Sequence, residues 1–242
     1  MKDKDCIFYC YRKTRQEQII KKYKMEKLKL VVFDMDGVLI DIISSWKYIH
    51  DYFNTSNEKS VDEYLKGKID DLEFIRRDVS LWVENGRPIK MEKLKEIIKD
   101  VPIMKGTKEC IKALKEHNVK TAIVSAGLDI IAENLSEKIG FDMVLANGIK
   151  TDSKGYLNGV GDLQVRLMYK DLAVKKISQK LDIPAKNIAS VGNSCFDIPM
   201  FYESAIGIAF NPSDDCIKDA ADIIISEKDL SQVLHYLQSY IG

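Results

Sequence analysis

No apolar stretch in this 242-residue chain approaches the roughly 20 residues a membrane-spanning helix needs, so the sequence offers no membrane partner. Net charge is missing as well. Lys plus Arg and Asp plus Glu each total 37, which removes the general positive field of a nucleic-acid-binding protein. Cysteine is scarce and unpatterned: Cys6, Cys10, Cys110, Cys195 and Cys216 are odd in number and form no Cys-x-x-Cys pair. That argues against a disulfide framework or structural zinc and for a reducing, cytoplasmic setting. Histidine is rarer still, and none of His50, His117 and His235 is near Cys195 in sequence, so Cys195 reads as a loop residue and not as a nucleophile. The basic first residues are followed by no long apolar segment, so a secretory signal is not expected. Residues 1–25 read as a basic N-terminal extension outside the fold.

What the chain does contain is an apolar run that stops on two carboxylates, Leu30-Val31-Val32-Phe33-Asp34-Met35-Asp36-Gly37-Val38. Alternation along an extended backbone puts Asp34 and Asp36 on one side, and Gly37 lets the chain turn away behind them. Such a pair can hold a nucleophile, a proton carrier and a cation in one small volume. Asp-x-Asp-Gly also opens calcium loops, but those need further oxygen ligands within a twelve-residue loop, and the residues that follow, Leu39, Ile40, Asp41, Ile42 and Ile43, are mostly apolar. A plain strand-to-turn cap is the other bland reading.

Three later segments decide between these readings. Ile123-Val124-Ser125-Ala126-Gly127 is an apolar run ending on a hydroxyl beside small residues, Lys170 follows, and then comes Val191-Gly192-Asn193-Ser194-Cys195-Phe196-Asp197-Ile198-Pro199-Met200. In that order the four segments resemble the motifs of the haloacid dehalogenase-type hydrolases, a superfamily of aspartyl-phosphate phosphatases. The resemblance covers about residues 26–242. It implies Asp34 as nucleophile, Asp36 as acid and base, and Ser125, Ala126 and Lys170 as phosphate ligands, with Lys175 and Lys176 as fallbacks for the lysine. It further implies a Mg2+ site formed by Asp34, Asp36, Asn193 and Asp197, with Asp197 oriented behind the ion. In the fourth motif the chain departs from the family, which usually has Asp where Asn193 stands. An amide oxygen can ligate a hard cation but brings no charge, so a weakened metal site is expected, and a lost activity is the alternative.

Short apolar runs at residues 28–33, 120–124, 142–145, 188–191, 205–209 and 222–225 alternate with helical patterns at 107–116, 129–138, 170–181 and 230–240. This predicts an α/β fold: a Rossmann-like, doubly wound parallel sheet covered on both faces. Residues 43–101 break the alternation and read as helices at 44–53, 60–65, 71–84 and 90–99 with no strand, an inserted α-helical cap between core segments 26–42 and 102–242. The cap resembles that of the phosphoserine phosphatase branch, and Gly148 to Gly161 resembles its small hairpin. In that branch cap residues bind substrate through a Glu and an Arg. Here Ile43 stands at the first place and Asp78 at the second, with Arg76 and Arg77 adjacent as candidate substrate ligands. The expected function is that of a magnesium-dependent phosphomonoesterase acting on a small phosphorylated metabolite other than phosphoserine. The open alternatives are a phosphotransferase or mutase and a non-catalytic phospholigand-binding module.

Overall fold

The computed structural model describes residues 23–241, so the expected extension lies almost wholly outside the described residues. Its last residue, Met25, does not stay outside the fold: it is buried against the core with Leu28. The core begins with β1 (Leu30–Phe33). A cap follows, made of α1 (Ser45–Tyr52), α2 (Glu58–Leu65), α3 (Asp71–Ser80), a hairpin of β2 (Val83–Glu84) and β3 (Arg87–Pro88), and α4 (Met91–Ile98). The core resumes with α5 (Thr107–Glu116), β4 (Lys120–Leu128), α6 (Asp129–Ile139), β5 (Met143–Thr151), β6 (Leu157–Asp162) and α7 (Lys170–Leu181). It closes with β7 (Ile188–Gly192), α8 (Ile198–Tyr202), β8 (Ile206–Phe210), α9 (Asp215–Ala220), β9 (Ile223–Ile225) and α10 (Gln232–Leu237).

The seven-stranded sheet has the order β6-β5-β4-β1-β7-β8-β9. After β1 the chain builds outward on one side through β4 and β5, then returns to the other side of β1 through β7, β8 and β9. That reversal makes a crevice at the carboxyl ends of the strands flanking β1, the usual ligand position in open α/β sheets. Every core pairing is parallel except β5 with β6, which is antiparallel, so the expected parallel sheet carries one reversed edge strand. The hairpin read between residues 148 and 161 forms that edge.

Both faces of the sheet are buried, and the reason is visible along β1. Leu30 and Val32 pack with Ala173, Val174 and Ile177 of α7, whereas Val31 and Phe33 pack with Ile111 and Leu114 of α5 and Leu135 of α6. Period-two alternation splits one run of four apolar residues between two helical layers. Each fully buried aliphatic or aromatic side chain of this kind stabilises the fold by about 1.5–3 kcal/mol.

Two local expectations are corrected. The helix expected over residues 71–84 stops at Ser80, and β2 and β3 follow, so the cap is not purely helical. The turn is Asn85-Gly86, both at positive φ (52° and 74°), the backbone that a tight two-residue hairpin requires and that this dipeptide favours. Secondly, β4 does not end at Val124 but runs through Ser125 to Leu128, with an irregularity in its pairing to β5 between Val124 and Leu128.

Candidate active site

Asp34 directly follows β1, and its backbone N–H continues the ladder by donating to the Val191 carbonyl at 2.9 Å. The chain then turns back on itself: Met35 O accepts from the N–H groups of Val38, Leu39 and Ile40. Gly37 permits the turn at φ +76°, and a side chain there would collide with Asn193 Nδ2. The first and fourth motifs are therefore in direct contact across the crevice.

Lys170, the first residue of α7, is buried and donates from Nζ to Asp34 Oδ1 and to Asp197 Oδ1, both at 2.7 Å. The other oxygen of Asp197 accepts from Asn193 N (2.9 Å), Ser194 N (3.0 Å) and Ser194 Oγ (3.3 Å). Both Asp197 oxygens are thus engaged within the protein, which suits a residue that holds Lys170 and the Asn193 loop in place. Burial raises the Asp34 carboxyl above its usual range, Asp197 adds to this, and Lys170 opposes it. Burial alone would lower the Lys170 ammonium, but Asp197 and Asp34 outweigh it and hold the charge firmly.

Asp36 is oriented by a residue of the cap. Ser45, at the start of α1, donates to Asp36 Oδ2 from its backbone N–H (2.8 Å) and its hydroxyl (2.9 Å), while Ser45 Oγ accepts from Leu128 N at 3.2 Å. Oδ1 of Asp36 is buried and has no partner among the described residues. Burial pushes this carboxyl up to about 6, against the pull of the two Ser45 bonds.

Ser125 is buried, and its Oγ accepts from Gly127 N at 3.0 Å. Ala126 is held through its carbonyl, which accepts from the Trp46 indole (3.0 Å) and from Asn147 Nδ2 (3.2 Å). Asn147 also takes Gln164 N and Val165 N on its Oδ1 and donates to Val165 O, so one amide ties the Ala126 loop to the segment leading into α7. Asp34, Asp36, Ser125, Ala126, Lys170 and Asn193 all line one cavity of about 840 Å³ between core and cap.

Arg76 and Arg77, expected at the substrate, are not brought there. Both pair with Glu73, and Arg77 also with Glu63, and neither lines the cavity. Asp78 does line it. The fallback lysines also lie elsewhere, Lys175 with Glu203 and Lys176 with Gln164. Ser45, Trp46 and Asn147 were not foreseen, since each acts through a partner some 9 to 83 residues away. The only signal was Ser44-Ser45 at a helix start, which reads as a cap; Ser44 does fill that role, accepting from Lys47 N.

The chain matches the family model for haloacid dehalogenase-like hydrolases over residues 31–201. It belongs to that family. It is 28% identical over 214 residues to the phosphoserine phosphatase of Methanocaldococcus jannaschii, covering 88% of this chain and 99% of that one. It is 26% identical over 223 residues to the phosphoserine phosphatase of Saccharomyces cerevisiae, covering 89% and 69%. A substrate-bound phosphoserine phosphatase complex superposes with a TM-score of 0.74 at 29% identity over 87% of this chain and 99% of the other. A phospho-aspartyl intermediate analogue of phosphoserine phosphatase gives 0.74 at 30% identity with the same coverage. This haloacid dehalogenase-like hydrolase therefore falls in the phosphoserine phosphatase-like branch, whose members are phosphoric monoester hydrolases. Among the described residues, no helix is long and apolar enough to cross a membrane.

The residues suit a hard divalent cation. Asp34 and Asp197 share the ammonium of Lys170, Asp36 Oδ1 has no partner among the described residues, and the Asn193 side chain lies against Gly37 beside them. Oxygen donors with surplus negative charge are what Mg2+ takes. Among the described residues a second compact group of ligating atoms is Cys195, Asp214 and Cys216. Its carboxylate already accepts from Cys195 N, Cys195 Sγ and Ile217 N, the last as the cap of α9.

Proposed function

We propose that the protein is a magnesium-dependent phosphomonoesterase that works on a small phosphorylated metabolite through a phosphoaspartate intermediate. The observation that carries this reading is the division of labour between the two motif carboxylates. Asp34 is pinned through Oδ1 by Lys170, so its other oxygen is the one offered to phosphorus, while Asp36 lines the same cavity, held through Oδ2 by Ser45 and with Oδ1 unpartnered among the described residues.

In the first step Asp34 attacks phosphorus and the bond to the ester oxygen breaks; the leaving oxygen takes a proton from Asp36 Oδ1. A carboxyl raised to about 6 retains enough protonated form near neutrality to donate it. In the second step water attacks the phosphoaspartate, Asp36 accepts the water's proton, and phosphate leaves with Asp34 regenerated. Ser125 Oγ, the Ala126 backbone and Lys170 supply donors for the phosphoryl oxygens, whose charge grows in the transition state. Magnesium held by Asp34, the Asp36 main-chain carbonyl and Asn193, with Asp197 behind, would supply the positive charge that keeps Asp34 ionised.

The test is a broad panel of phosphorylated metabolites with and without magnesium, together with beryllofluoride as a mimic of phosphorylated Asp34. Turnover that needs magnesium and is blocked by beryllofluoride is the expected result. The neutral Asn193 favours one other reading, a phospholigand-binding module, and binding of panel members with no hydrolysis of any of them would establish it. Transfer of phosphate to added alcohols faster than to water would instead identify a phosphotransferase.

A further inference from the structure

The cavity is larger than a phosphate group requires, and its cap end has a charge pattern of its own. Asp78, on α3, is buried and lines the cavity. Its Oδ2 accepts from Asn57 Nδ2 at 2.8 Å and faces His50 Nε2 at 3.4 Å, whereas Oδ1 is buried with no partner among the described residues. The indole N–H of Trp82 points at His50 Nδ1 at 3.3 Å. Nδ1 also meets Thr55 Oγ1 at 2.8 Å, and Nε2 makes no hydrogen bond among the described residues. Asp78 is thus held through Oδ2 by Asn57, with Oδ1 left over. A buried carboxylate oxygen left without a donor is costly.

Cations around the cavity are already committed. Lys170 serves Asp34 and Asp197, Lys47 pairs with Asp51, and Lys228 pairs with Asp41. Arg76 and Arg77 are taken by Glu73 and Glu63. The second acid at the cap end, Asp71, already receives Tyr64 Oη and Leu167 N, both at 3.0 Å, with Arg166 Nε at 3.4 Å. Val61, Leu65, Phe74 and Ile75 supply the rest of that wall. An anionic group here would meet carboxylate and hydrocarbon; a cationic one would meet the Asp78 carboxylate.

We propose that Asp78 is the specificity-determining residue of a distal substrate subsite, one that takes the ammonium group of an aliphatic phosphate monoester lacking a carboxylate. The class is that of aminoalkyl phosphates, and the proposal rests on the phosphatase reading above. Asn57 is a positioning residue that fixes the carboxylate.

The experiment compares kcat/KM of the unmodified protein with magnesium on aminoalkyl, hydroxyalkyl and carboxyalkyl phosphates of matched chain length, beginning with phosphoethanolamine and phosphoglycolate. The ammonium esters should lead the carboxylate esters by at least about tenfold, since like-charge contacts in a shielded site are strongly unfavourable. In Asp78→Asn that ratio should fall toward one, chiefly through KM for the ammonium esters. Equal rates, a lead for the hydroxyl esters or a lead for the carboxylate esters in the unmodified protein overturns the proposal. Calorimetric binding of the same esters to the unmodified protein in EDTA separates the two readings. Tighter binding of the ammonium ester with no hydrolysis of any ester sinks the phosphatase reading and leaves the subsite standing. Equal affinities, or no binding, sink the subsite even where hydrolysis is found.

Discussion

Replacing Asn193 by Asp adds one negative charge at the place where the first and fourth motifs touch. Two unit charges about 4 Å apart interact by about 4 kcal/mol at an effective dielectric of about 20. A carboxylate facing a divalent cation therefore gains about twice that. Most of the gain is offset, because Asp34, Asp36 and Asp197 are already gathered there, with Lys170 bonded to two of them, and will repel a fourth carboxylate. Changes at the partners of metal sites usually alter affinity by about 10- to 100-fold. We take the lower end, about tenfold or about 1.4 kcal/mol, because of that repulsion. The same repulsion acts without compensation when the metal is removed. Asn193→Asp should therefore melt below the unmodified protein in EDTA and gain more from saturating magnesium, by about 3–6 °C for a domain of this size. Melting curves over a magnesium titration read both effects, and the activity midpoint should move to lower magnesium in parallel. An unchanged magnesium midpoint together with unchanged melting in EDTA would refute the placement of Asn193 at the ion.

Asp34→Asn should abolish turnover while leaving the melting temperature equal or higher, since it removes a carboxylate whose ionisation is already opposed by burial and by Asp197; circular dichroism alongside a rate assay checks this. Lys170→Met should destabilise by about 3–5 kcal/mol, because it leaves Asp34 and Asp197 buried without a counter-charge, and a urea melt that shifts by less than about 1 kcal/mol would contradict it. Ser45→Ala removes the hydroxyl bond to Asp36 and the anchor to Leu128. It should lower kcat about tenfold or more with a smaller change in KM, as expected when a proton carrier is misaligned. Asp129 is not among the residues lining the cavity, and burial raises its carboxyl from 3.8 to about 6. The folded state then holds a proton that the unfolded state releases, so Asp129 lends stability below about pH 4 and loses it as pH rises through about 6. Asp129→Asn should therefore melt higher than the unmodified protein at pH 7.5 and show a smaller gain at pH 4.

The sheet and the motif-bearing strand ends could be read from sequence because their signals are local. An apolar run ending on Asp34 and Asp36, or a small-residue step after Ser125, carries its meaning within a few residues. Ser45, Trp46 and Asn147 have no such signature; their roles exist only once the cap folds back onto β4 and β5. The β2 and β3 hairpin is different, because Asn85-Gly86 was a usable turn signal that the helical period before it concealed. Arg76 and Arg77 show the limit of register along a helix: a shift of one or two positions turns a side chain from the cavity toward Glu73, and spacing alone does not fix that rotation. Asp78, one step further along, is the residue that faces inward.

Ser45 bonds Asp36 and Leu128 at once, and its neighbour Trp46 bonds the Ala126 carbonyl. The first turn of α1 is therefore wired to the reacting groups, while the substrate-facing residues of α2 and α3 are not. His50 of α1 faces Asp78 of α3, and Trp46 stacks on Trp82 just beyond α3, so motion of α3 is passed to α1. Any excursion of α1 then lets go of the proton carrier and loosens the phosphate loop together. An enzyme so built is disarmed in proportion as its roof lifts, so a bound phosphoaspartate would be shielded from premature attack by the same displacement that exposes it to bulk water.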